Sequence, residues 1–177
     1  MTEQPAMELL ATIRPSDVDP DAPDFDYGTF RERVAGRAVM FDGDKVALIF
    51  VEKDGYYMLP GGGIDDDDMA AGLARELLEE TGCRVDIGEP VGRIDVYIDL
   101  WRNKQMDYCY VARKVGDAGA QNLTEGEAKA GYKLVWPVSI NDAIRLVKAA
   151  LPQVRDGKLI QARDLLFLET AAKISAV

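Results

Sequence analysis

Leu59-Pro60-Gly61-Gly62-Gly63-Ile64-Asp65-Asp66-Asp67-Asp68, continued by residues 69–74 and then Arg75-Glu76-Leu77-Leu78-Glu79-Glu80-Thr81-Gly82-Cys83, is the stretch that decides how the chain is read. Residues 68–81 predict a helix, and Gly82 predicts its end, because glycine takes the left-handed conformation that helix C-termini favour. On that helix Glu76, Glu79 and Glu80 stand at i, i+3 and i+4, which puts them on one face within a turn. Ala70, Leu73, Ala74, Leu77 and Leu78 supply the apolar side. Three like charges on one face repel by roughly a few tenths of a kcal/mol per pair. A multivalent cation turns that cost into a site, and hard carboxylate oxygens suit Mg²⁺ or Mn²⁺. A Glu-rich face taken alone is most often simply solvated, so its neighbours carry weight. Gly61-Gly62-Gly63 lets backbone approach a ligand or metal closely. No Gly-Lys-Ser/Thr follows it and the Gly-x-Gly-x-x-Gly spacing is missing, which excludes the two familiar phosphate-binding glycine loops.

Outward from this stretch, residues 37–41 and 45–51 are apolar runs around Asp42-Gly43-Asp44, a hairpin signal. Residues 56–59 predict a short strand stopped at Pro60. Residues 84–87, 92–100 and 106–114 predict further strands, and 117–131 a polar loop. Residues 133–136 predict a strand ended by Pro137. Ser139 caps a helix to about residue 150, and 161–173 predict a last one. Residues 1–34 read as a Pro- and Asp-rich arm, with an edge strand at 7–13, and 35–177 as the domain. The pattern is an α/β (α+β) one, a mixed central sheet covered by helices.

Composition narrows the function. The chain has 177 residues, 47% of them hydrophobic, enough for one sizeable core. Its net charge of −10 disfavours double-stranded nucleic acid as a partner. There is no histidine, which removes Ser-His-Asp and Cys-His nucleophiles and histidine-bound zinc. No apolar run is long enough to cross a bilayer. The first ten residues lack a basic start followed by an apolar stretch, and Cys83 and Cys109 read as reduced core thiols. A cytoplasmic protein is expected, and the long N-terminal arm points to a homodimer.

The central stretch resembles the Nudix box: Gly, five residues, Glu, seven residues, Arg-Glu, an aliphatic, any residue, Glu-Glu, any residue, Gly, an aliphatic. Counted from Gly61, residues Arg75, Glu76, Leu77, Glu79, Glu80 and Gly82 fall in register, and Leu59-Pro60-Gly61-Gly62-Gly63 is also similar to the family. The chain departs at the box glutamate, where a shorter carboxylate stands: Asp67 by count, or Asp68 if the loop is one residue short. Cys83 replaces the last aliphatic. The resemblance implies a Nudix-like α/β/α sandwich and hydrolysis of a diphosphate linkage with Mg²⁺ or Mn²⁺. It implies Glu79 and Glu80 as metal ligands, Glu76 as a third ligand or the general base, and Arg75 as the residue that orients a box carboxylate. Gly61 and Asp67 join the metal set, as does a carboxylate beyond the box, Glu125 or Glu127. Gly62, Gly63, Arg37, Tyr57 and Trp101 are the expected substrate contacts, the aromatics among Tyr56, Tyr57, Tyr97, Trp101 and Tyr108 being able to stack a base. The expected substrate is a small nucleotide, foremost a nucleoside triphosphate split to monophosphate and pyrophosphate. A nucleotide sugar or a dinucleotide is the alternative, and a non-catalytic nucleotide sensor is the rival of another class.

Overall fold

Ala38-Val39-Met40 is apolar at every position, so a strand there has two faces to bury. The computed structural model, which describes residues 6–65 and 68–175, buries both. In chain order the elements are β1 (Leu9–Ile13), α1 (Pro15–Val18), a 3-10 turn (Tyr27–Thr29), β2 (Arg31–Asp42), β3 (Lys45–Val46), β4 (Leu48–Val51), β5 (Tyr56–Met58) and β6 (Gly61–Gly63). Then follow α2 (Met69–Thr81), β7 (Arg84–Ile98), β8 (Asn103–Val115), α3 (Glu125–Ala130), β9 (Tyr132–Val135), α4 (Ile140–Ala149) and α5 (Arg155–Ser175).

The main sheet runs β1-β7-β8-β2-β3, with β6 also on β2, and a smaller sheet runs β5-β4-β9. β1 lies parallel to β7 and β2 parallel to β8; the other pairs are antiparallel. On one face Ala38 and Met40 pack with Leu73 and Leu77 of α2. On the other, Val39 packs with Leu159, Phe167 and Leu168 of α5 and Val147 of α4. Each such aliphatic or aromatic side chain contributes roughly 1.5–3 kcal/mol on burial. The result is a mixed α/β sandwich with helices on both faces. Among the described residues no helix is long and apolar enough to cross a membrane. Cys83 and Cys109 are free and buried.

Several elements differ from the sequence reading. The strands expected at 84–87 and 92–100 are one, β7, with register shifts between Ile87 and Pro90 and between Pro90 and Gly92. Proline has no N–H for the ladder, so the strand bulges there instead of ending. The run 45–51 breaks at Ala47 and leaves its first part in the main sheet and its second in the smaller one. The polar stretch 117–131 contains α3, opened by a capping box in which Glu127 N–H donates to Thr124 Oγ1 and Thr124 N–H to the Glu127 carboxylate. The last helix starts at Arg155, earlier than 161.

Candidate active site

α2 is fixed at both ends. The Asp68 side chain accepts from the N–H groups of Ala70 and Ala71, and Gly82 closes the helix at φ 70°. A Cβ at Gly82 would overlap the Gly119 carbonyl, so the position admits only glycine. Between these caps, Glu76 and Glu80 lie one turn apart and face a cleft of about 310 Å³. The facing wall is β6. A Cβ at Gly62 would overlap the Glu76 carboxylate, so the absence of a side chain lets that carboxylate rest on the strand.

Glu80 is 4% exposed and accepts from Gly61 N–H at 2.8 Å. Burial pushes its carboxyl up to about 8; the Gly61 bond and the Arg37 charge pull the other way. Burial also raises Glu76, against the pull of Arg75. Arg75 donates to Glu76 Oε1 at 2.9 Å and to Glu79 Oε1 at 3.4 Å.

Beneath the cleft runs a charged network with few openings to solvent. Arg37 donates through Nε to Asp107 at 2.8 Å and through NH1 to the Gly61 carbonyl at 2.8 Å. Arg163 of α5, 1% exposed, donates to Asp107 and Asp164. Asp164 accepts from Leu59 N–H, and Gln105 donates to Asp107. The glycine-rich strand is thus pinned at Leu59 by α5, at Gly61 N–H by α2 and at Gly61 carbonyl by β2. Burial alone would raise Asp107; Arg163 and Arg37 outweigh it and hold the carboxyl below the usual range.

Of the residues expected from sequence, Gly61, Gly62, Gly63, Glu76 and Glu80 line one cleft, and Glu127, Arg37 and Trp101 join them. Arg37 is engaged with Asp107 and with the very carbonyl, Gly61, expected to ligate a metal. Glu79 and Arg75 do not line the cleft. Nor does Tyr57, which packs on Phe50 with ring centroids 4.7 Å apart. Its neighbour Tyr56 lines the cleft instead, as alternation along β5 dictates. Asp67 lies outside the described residues, and Asp68 serves as the helix cap. Sequence reasoning missed Arg33, Gln105, Tyr132, Arg163, Asp107 and Asp164, which no local spacing links.

Among the described residues no three carboxylates gather closely enough to be a ready-made metal cage. Glu76, Glu80 and Glu127 nonetheless share the cleft; beside burial, the charges of Glu79 and Glu127 raise Glu76, and those of Glu127 and Glu76 raise Glu80. This is a hard-oxygen set that fits Mg²⁺ or Mn²⁺.

The loop before α3 docks on the end of α2 and thereby places Glu127. Gly119 N–H donates to Gly82 carbonyl, Asn122 N–H to Glu79 carbonyl, and the Gln121 side chain to Glu80 carbonyl at 2.6 Å. These bonds satisfy carbonyls a helix end leaves open. Gln121→Ala is expected to cost about 1 kcal/mol, a fall of roughly 2–4 °C in Tm. It should also raise the metal concentration giving half-maximal activity. An unchanged metal titration would show that α3 alone places Glu127.

Residues 31–156 match the family model described as the NUDIX domain. A MutT-like protein of Streptomyces ambofaciens is 31% identical over 137 residues, covering 71% of this chain and 83% of that protein. Among solved structures, a NUDIX hydrolase from Nitrosomonas europaea superposes with a TM-score of 0.58 at 18% identity, over 82% of this chain and 90% of that one. An ADP-ribose pyrophosphatase from Streptococcus suis gives 0.50 at 23% identity, over 78% and 91%. With a box in register on a capped helix, a family match over most of the chain and the same fold in solved relatives, the chain belongs to the Nudix hydrolase family and is an enzyme of that kind.

Proposed function

We propose that the enzyme hydrolyses a nucleoside triphosphate to the monophosphate and pyrophosphate, using Mg²⁺ or Mn²⁺ held by Glu80 and Glu127, with Glu76 beside them as the general base. The observation that carries this reading is the meeting of those three carboxylates with a side-chain-free wall, Gly61–Gly63, in one cleft. The cleft volume, about 310 Å³, is at the small end of ligand sites and favours one nucleotide over a dinucleotide.

The divalent ion, when bound, supplies charge neutralisation on the phosphates and polarises the attacking water. The chain supplies the rest. Glu76, whose Oε2 rests on the glycine wall at Gly62, takes the proton of the attacking water. The water oxygen bonds to the middle phosphorus, the P–O bond that bridges it to the phosphate next to the sugar breaks, and the nucleoside monophosphate leaves with the electron pair. Arg75 holds the outer oxygen of Glu76 and so aims the other one. Glu79, outside the cleft, steadies Arg75.

Activity is expected to vanish in excess EDTA and to return with Mg²⁺ or Mn²⁺, scored as pyrophosphate released from a panel of nucleoside triphosphates. Full activity in EDTA would sink the metal-dependent reading. A protein stabilised by nucleotides that cleaves none of them would be a sensor.

A further inference from the structure

Arg33, Ala35 and Arg37 alternate along β2, so they share one sheet face. Ala35 pairs with Gly63 and Arg37 with Gly61. On the other side of β2, Arg33 pairs with Gln105 of β8. Arg33 is exposed and lines the same cleft as Glu76, Gln105 and Trp101. Its guanidinium lies over Gly63, where an added Cβ would stand 2.5 Å from one of its terminal nitrogens. The other two guanidiniums of the cleft are taken: Arg37 by Asp107 and the Gly61 carbonyl, Arg163 by Asp107 and Asp164. No carboxylate among the described residues pairs with Arg33, whose cation is therefore presented to the cleft.

Strand register gives the cleft a direction. β8 begins at Asn103, opposite Arg31, immediately after the turn that carries Trp101, 54% exposed. Moving along β2 from that turn, one meets Arg33, then Gly63 opposite Ala35, then Gly61 opposite Arg37. Glu76 rests against Gly62, and Glu80 accepts from Gly61 N–H. The exposed Trp101 stands at one end of the cleft, the Arg33 cation comes next, and Glu76 and Glu80 stand at the other end, where Tyr132 also feels the Glu80 and Glu127 charges. The step from Arg33 to Arg37 spans roughly 13 Å, on the order of an extended nucleoside diphosphate.

We infer that the nucleotide lies along β2 with its base at the Trp101 turn and its outer phosphates toward Glu76 and Glu80, and that Arg33 binds the phosphate next to the sugar. This rests on the proposed nucleotide substrate. A planar guanidinium suits a phosphate that carries no metal, since it supplies both charge and paired donors. The acidic end would repel a bare phosphate and takes one only with a cation between. Hydrolysis then leaves the nucleoside monophosphate on Arg33 and the pyrophosphate at the acidic end.

The test is direct binding to the full chain of AMP, GMP, CMP and UMP, and separately of pyrophosphate with Mg²⁺. Wild type is compared with Arg33→Ala, Arg33→Lys and Trp101→Ala, each with a melting curve. Arg33→Ala is expected to weaken the best-bound monophosphate roughly tenfold or more and to leave pyrophosphate within about twofold. Arg33→Lys should recover part of the loss, and Trp101→Ala should weaken the monophosphate alone. Arg33 is exposed and forms no ion pair among the described residues, so Tm should hold. The inference is overturned if pyrophosphate weakens as much as the monophosphate, if the monophosphate keeps its affinity, or if wild type binds none of the four. Monophosphate binding that behaves as expected, with no triphosphate cleaved, would keep the site and discard the proposed reaction.

Discussion

Glu80→Gln is expected to lower turnover by two or more orders of magnitude while leaving the metal-free fold as stable as before. The loss is that of one charge at the reacting phosphates, about 3 kcal/mol of barrier. Glutamine keeps the length and the oxygen that accepts Gly61 N–H, so the glycine-rich strand stays pinned. Stability should even rise in alkali. Without metal, burial raises the Glu80 carboxyl from the ordinary 4.5 to about 8. The folded protein then holds a proton that the unfolded chain releases, and wild type loses stability as pH climbs through that window. A neutral glutamine removes the slope. Initial rates on the best substrate, beside melting curves in EDTA at pH 6 and 9, check both halves. A near-normal rate would take Glu80 out of the chemistry.

Asp107→Ala should have the largest effect on stability. Asp107 is fully buried and receives both Arg37 and Arg163. Removing it leaves two guanidiniums in the interior without their shared counter-charge, and breaking a buried pair in this way costs about 3–5 kcal/mol. For a chain of this size that is a Tm fall of roughly 6–20 °C. The deficit should shrink in acid. Because Arg163 and Arg37 hold the Asp107 carboxyl low, its contribution is complete above the ordinary carboxyl range and is lost as pH falls through the lowered value. A Tm within 2 °C of wild type at neutral pH would mean, on the same scale, that the network contributes less than ~1 kcal/mol.

What could be read from the sequence was what is local. Asp68, the apolar stripe of Leu73 and Leu77, and Gly82 are neighbours along the chain, and the helix they announce is α2. The same stretch put Glu76 and Glu80 a turn apart, where the structure has them. α3 was legible but overlooked: Thr124-Glu125-Gly126-Glu127 has capping-box spacing, masked by the polar run around it. Tyr56 against Tyr57 turns on strand register, which adjacent tyrosines do not reveal. The Asp107, Arg163 and Asp164 network was out of reach, because its members sit on separate elements and share no spacing. Arg33 carries no local signal at all, and only β2–β8 pairing sets it opposite Gln105 in the cleft that Trp101 also lines.

The pinning of the glycine-rich strand from so many directions also governs how the chain acquires its shape. Arg37 meets Asp107 across 70 residues of sequence, Asp107 meets Arg163 across 56, and Leu59 meets Asp164 across 105. Each closure costs chain entropy before any contact repays it, so pairings of this span form slowly. α2 and the β7–β8 hairpin need only nearby partners and can appear early. Glu76 and Glu80 are therefore set on their helix before the cleft exists, while Glu127 waits for α3 to dock, and catalytic competence arrives with these distant closures rather than with the element that bears the box.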